Sequence, residues 1–141
     1  MAVVADSGSL YALYDAQDEY HQVVAKAIED HRAPIIIPTA ILTEIDYLLR
    51  EFIGVDAELD FLEGISTGAY TLEAFTGQDL ARCRELVAQY RDLDLGLADA
   101  AVIAAAERLG LERILTVDPR HFRAVRPKHG RPFVLVPFDT M

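Results

Sequence analysis

Four carboxylates in this chain stand where acids do chemistry. Asp6 directly follows the apolar run AVVA, and Asp118 directly follows RILTV. Glu44 lies within TAILTEIDYLLREF, and Asp99 is the single charged residue between Leu95 and Ala106 in LGLADAAVIAAA. A lone ionised carboxylate among apolar side chains costs several kcal/mol unless a cation or hydrogen bonds compensate it. Four of them brought together cannot all stay ionised without something positive. Hard divalent ions such as Mg²⁺ or Mn²⁺ meet that need, because they take oxygen ligands and keep several waters. Such a site activates water and stabilises an in-line phosphoryl displacement. Each acid also has an ordinary use: Asp6 and Asp118 as helix caps or turn residues, Glu44 as a flank residue, and Asp99 as a charge at a helix start.

The elements that must position these acids alternate along the chain. Residues 2–5, 34–38, 69–75, 113–117 and 133–138 have the apolar character of strands, several of them continuous enough for a sheet covered on both faces. Helical patterns cover 8–15, 18–31, 39–52, 56–66, 76–91 and 97–109. This alternation predicts one α/β domain over 1–141, a mostly parallel sheet of about five strands with helices on both sides. Open parallel sheets place their sites beyond the carboxyl ends of the strands, where Asp6 and Asp118 fall. In the helix at 39–52 the predicted core stripe is Ile41, Leu42, Ile45, Leu48, Leu49 and Phe52. At about 100° per residue, Glu44 borders that stripe in the second turn, nearer the edge than Glu51. The helix at 97–109 is apolar all round and must be covered on nearly every side. Asp99, in its first turn, should be partly enclosed and in need of a partner.

Composition bounds the function. The 141 residues carry a net charge of −10, with 52% hydrophobic and 26% charged residues. MAVVAD lacks the basic start of a secretory signal, and no apolar stretch approaches a membrane span, so a cytoplasmic protein is expected. Cys83 is the only cysteine, which excludes an internal disulfide and a multi-cysteine zinc site. An acidic body argues against a nucleic-acid partner, but the segment RHFRAVRPKHGR, Arg120 to Arg131, holds five of the thirteen basic residues and no acid. It is either a solvated loop or a phosphate-binding margin. Cys83 is expected to pack in a helix, and core packing is the favoured role for Tyr11, Tyr14 and Tyr47 over stacking on bases. His121 and His129 are expected at the surface, with His121 near enough to Asp118 to touch a substrate.

The segments VADSGSLYAL, IPTAILTEIDYLL, LGLADAAVIAAAERLG and RILTVDPRHF resemble, in order and spacing, the PIN-domain ribonucleases, above all the VapC-type toxins of toxin–antitoxin pairs. The resemblance spans nearly the whole chain and implies a PIN-like three-layer α/β/α sandwich. It puts the family's acidic metal site on Asp6, Glu44, Asp99 and Asp118, with Ser7 as the hydroxyl after the first acid and Thr116 as the hydroxyl two before the last. Ser-Gly follows Asp6 where such toxins more often have Thr-Ser, a departure that leaves the acids untouched. The resemblance further implies Mg²⁺- or Mn²⁺-dependent endonucleolytic cleavage of RNA to 5′-phosphate and 3′-hydroxyl ends, a homodimer, and a small antitoxin encoded alongside. Structured RNA, a tRNA or rRNA loop, is the expected substrate, with Arg120, His121, Arg123 and Arg126 as its contacts. The apolar helix and the net charge suit a chain that a partner covers.

Other acid-rich α/β enzymes fit less well. A haloacid-dehalogenase-like phosphatase needs a second acid two residues after the first, and position 8 is Gly; a receiver domain needs a late lysine beyond Lys26 and Lys128. No glycine-rich stretch ends in Gly-Lys-Ser/Thr as a P-loop does. The remaining alternative is a PIN-like module that holds RNA or protein without cutting it.

Overall fold

A computed structural model describes residues 1–141. Five short strands form one sheet: β1 (Val3–Ala5), β2 (Ile35–Pro38), β3 (Tyr70–Glu73), β4 (Arg113–Leu115) and β5 (Val134–Val136). Their order is β3-β2-β1-β4-β5, and every neighbouring pair is parallel. The helices are α1 (Ser7–Tyr14), α2 (His21–His31), α3 (Leu42–Phe52), α4 (Val55–Ser66), α5 (Gly77–Gln89), α6 (Leu97–Leu109) and α7 (Arg120–Ala124). No helix is long and apolar enough to cross a membrane.

The connections fix the layers. From β1 the chain steps outward to β2 and then β3, so right-handed crossovers put α1 to α4 on one face. From β3 it returns past β2 and β1 to β4, and the same handedness puts α5 and α6 on the other. The result is the three-layer sandwich expected from the sequence, with the sheet parallel throughout. The switch of direction lies between β1 and β4, where open sheets of this kind hold their ligands.

α6 explains its own composition. It packs on β1, β2 and β4 beneath α5 and touches α7. Ala100 through Ala106 are all buried, and the alanines that make up most of that run let the backbone lie close to the sheet. The helix is therefore covered from within the fold, which removes it as a reason for a covering partner.

Four local expectations change. A single 3-10 turn (Thr39–Ile41) precedes α3, so Glu44 sits in the first turn of α3 rather than the second turn of a longer helix. Phe52 leaves the core stripe; it is 65% exposed at the helix end and meets Tyr11 edge-on. Tyr47 is likewise exposed, whereas Tyr11 and Tyr14 pack against the core. Residues 120–124 are helical rather than loop, because buried Phe122 anchors them. Cys83 is buried as expected, and burial pushes its thiol up to about 11.

Candidate active site

Asp6 stands at the end of β1 and performs two tasks at once. Its Oδ1 accepts the Ser9 backbone N–H at 2.8 Å, capping α1, while its Oδ2 accepts the Thr116 hydroxyl. Thr116 Oγ in turn accepts the Asp118 N–H at 3.0 Å. A single threonine thus joins the acid after β1 to the acid after β4. The Ser9 hydroxyl lies within 3.0 Å of the Asp6 carbonyl and 2.9 Å of the Leu115 carbonyl, bracing the same two strand ends. Ser9 has no separate signal in the sequence; its cap role is legible only as a serine three residues after an aspartate.

Burial decides the electrostatics of Asp6. Removal from water raises its carboxyl, the Thr116 and Ser9 hydrogen bonds pull it back only in part, and the nearby charge of Asp99 adds a smaller rise, which leaves it at about 6. Asp99 and Asp6 therefore feel one another across the gap between α6 and β1. The side chain of Asp99 is about a third exposed, and its Oδ2 meets His121 Nδ1 at 2.8 Å. Asp118 is half exposed and receives Arg120 in a two-point contact, Nε to Oδ1 and Nη2 to Oδ2, each 3.0 Å. That contact holds the Asp118 carboxyl below its ordinary range.

The first two residues of α7 thus place a basic side chain on each of the two outer acids. Arg120 and His121, expected as contacts to a substrate, are engaged with Asp118 and Asp99. Arg123 is paired with Asp139 at 2.7 Å. Arg126 alone among the four has a free, exposed side chain, and a groove of about 530 Å³ runs past it, lined also by Arg123, Val125, Pro127 and Pro132. Glu44 is exposed and makes no hydrogen bond or ion pair with the other acids. No three His, Cys, Asp or Glu side chains converge closely enough to hold a metal ion as they stand.

The donor set nevertheless fits a divalent cation. Three carboxylates and two hydroxyls sit at the switch point, all hard oxygen donors. The innermost carboxylate is desolvated and lacks a basic partner. The Ser7 Oγ beside it is buried without any hydrogen-bond partner, the condition of a polar atom that waits for a ligand or its water. Asp118 is paired with an exposed arginine, a contact weak enough to yield to a competing ion, and Asp99 meets a single histidine.

The switch point of this three-layer parallel α/β domain gathers hard oxygen donors of the kind a divalent cation takes. The chain belongs to the PIN-domain family: the PIN domain model matches residues 3–127. It is similar to Ribonuclease VapC26 of Mycobacterium tuberculosis, 33% identical over 135 residues that cover 96% of this chain and all of the relative. Among solved structures it is similar in fold to VapC20 of M. tuberculosis, described as a sarcin-ricin loop cleaving toxin. The TM-score is 0.77 at 17% identity, over 84% of this chain and 92% of the other. A toxin–antitoxin complex from Klebsiella pneumoniae matches with TM-score 0.69 at 19% identity, over 87% and 92%.

Proposed function

We propose that the chain is a divalent-metal-dependent endoribonuclease and the toxin of a VapBC-type toxin–antitoxin pair, acting on structured RNA. One observation carries this reading: a buried carboxylate with no basic partner, Asp6, is tied by Thr116 to Asp118 and lies under the field of Asp99 at the sheet's switch point. A non-catalytic module has no need to desolvate an acid beside two others. The ribonuclease name of the 33% identical relative supports the activity, and the toxin–antitoxin neighbours support the pairing.

Asp6, Asp99 and Asp118 would hold the ion, with Glu44 at the border. Bound there, a divalent cation lowers the pKa of its water and offsets charge on the phosphate oxygens. The chain's own residues do the rest. Ser9 N–H and Thr116 fix the plane of the Asp6 carboxylate, so it does not reorganise when the site loads. Ser7 Oγ is free to take a water or a phosphate oxygen. Arg120 and His121, once their acids turn to the ion, are left beside the site as donors for the scissile phosphate. Arg126 extends that basic margin along the groove. The acidic body repels a long polyanion elsewhere, which favours a compact RNA whose loop reaches the acids while its stem lies on α7 and the following segment.

The test is cleavage by the purified chain with Mn²⁺. Asp6→Asn, Asp99→Asn and Asp118→Asn should each lower the cleavage rate by at least about 100-fold with the fold retained, a loss of the size expected when a principal charge-stabilising group is removed. Full activity in a folded Asp99→Asn protein would refute the site.

A further inference from the structure

Asp118 is engaged in an unusual way. It stands just before α7, where an aspartate ordinarily caps the helix, yet Pro119 takes the capping position and no side chain caps it. Both Asp118 oxygens go instead to Arg120, Nε to Oδ1 and Nη2 to Oδ2, each 3.0 Å. Arg120 opens α7, the end of a helix at which a cation is least favoured. Helix stability therefore does not account for the contact.

The backbone around this pair is fixed, while the arginine side chain is not. The Asp118 N–H is held by Thr116 Oγ at 3.0 Å, and the Arg123 N–H reaches the Pro119 carbonyl at 2.9 Å. Phe122 and Val125, both buried, seat the segment against the core. The Arg120 side chain, by contrast, is 78% exposed, and that of Asp118 is 51% exposed. A guanidinium fork grips a phosphate as readily as a carboxylate. Arg123, three residues on, is held differently: its partner Asp139 also accepts the Leu135 N–H at 2.8 Å and is none of the four acids.

Arg120 and a divalent ion compete for one carboxylate. Asp118 carries a single negative charge, and a dication beside it meets the guanidinium as a like charge. We propose that Arg120 is an internal counter-ion handed from Asp118 to a phosphate of the RNA, so that RNA and metal bind cooperatively. While Arg120 lies on Asp118 it lowers the affinity for the ion. When a phosphate takes the guanidinium, Asp118 is released. Linkage makes the effect reciprocal: RNA tightens metal binding by the same factor as metal tightens RNA binding. Arg120 is on this account a positioning residue, acting on the ion only through Asp118. The proposal rests on the metal-dependent reading of the site and adds that the site loads most readily when RNA is at hand.

The experiment measures Mn²⁺ binding to the purified chain from the electron paramagnetic resonance of the free ion. It is done with and without a 2′-O-methylated RNA hairpin, checked on a gel to stay uncut. Without RNA, Arg120→Ala should bind Mn²⁺ about fivefold more tightly than wild type, the size an exposed ion pair allows. Arg120→Lys should fall between the two, since it keeps the charge but loses the two-point grip. Arg123→Ala removes a charge from the same helix and should leave Mn²⁺ affinity near wild type. The hairpin should tighten Mn²⁺ binding to wild type more than to Arg120→Ala, again by about fivefold, and Mn²⁺ should tighten hairpin binding by an equal factor. Melting curves in EDTA should stay near wild type, because the pair is exposed. Equal Mn²⁺ affinity in wild type and Arg120→Ala, or an equal gain from Arg123→Ala, overturns the proposal. So does coupling to the hairpin that is undiminished in Arg120→Ala. A wild-type chain that cuts RNA while giving either result keeps the nuclease reading and loses only the handover. Affinity and coupling that answer to Arg120 in a chain that cuts no RNA uphold the handover and remove the nuclease reading. No Mn²⁺ binding by the wild-type chain overturns both.

Discussion

Asp6 is the residue on which the site's physics turns, and it makes a stability prediction with a definite sign. Its carboxyl is raised from 3.8 to about 6 in the folded chain. A raised folded pKa contributes stability that is fully present below the unfolded value and is lost as pH rises through the folded one. Without metal, the protein should therefore become less stable between pH 4 and 6, by an amount on the order of 2–3 kcal/mol from this group. Asp6→Asn should flatten that dependence and raise the metal-free melting temperature at neutral pH by about 5 °C. Thermal denaturation in EDTA across that pH range measures both; an Asn variant no more stable than wild type at neutral pH would mean that the buried charge is already compensated. Arg126 gives a second prediction at this scale. Because it is the free cation of the basic segment, its change to Ala should weaken RNA binding and lower the slope of log K against log salt by about one, as expected when one phosphate is no longer neutralised. A filter-binding titration at several salt concentrations that left the slope unchanged would remove Arg126 from the interface. The sequence discloses Asp6, Asp99 and Asp118 because apolar runs isolate them. It does not disclose that Arg120 and His121 turn back onto Asp118 and Asp99, since both basic residues lie in a segment whose helical turn depends on the burial of one side chain, Phe122.

Among the elements, α6 shows how composition becomes position. Seven consecutive small or apolar residues, Ala100 to Ala106, are buried because α5, three strands and α7 surround them. Ala101→Leu adds volume where none is free and should cost about 1–3 kcal/mol. A chemical denaturation curve measures that cost, and a midpoint unchanged from wild type would mean that the helix is not clamped as described. The apolar periodicity that reveals α6 at 97–109 also locates the five strands to within a few residues. It misplaces Phe52, because periodicity marks a helix's apolar side without saying which neighbour covers it. α3 is covered by α1 and α4 only along Ile45 and Leu49.

For the whole molecule, net charge and topology act together. The order β3-β2-β1-β4-β5 opens one switch point and sets acids on both sides of it, while the basic segment Arg120–Arg131 supplies a margin rich in cations. The most direct measurement of the central claim is to incubate the purified chain with total RNA and Mn²⁺ and sequence the new 5′ ends. The same reaction is run in EDTA and with Asp99→Asn. One or a few dominant cuts in structured loops, absent in EDTA and with the variant, are the predicted result. Cuts that persist in either control, or indiscriminate cutting of all RNA, would contradict it.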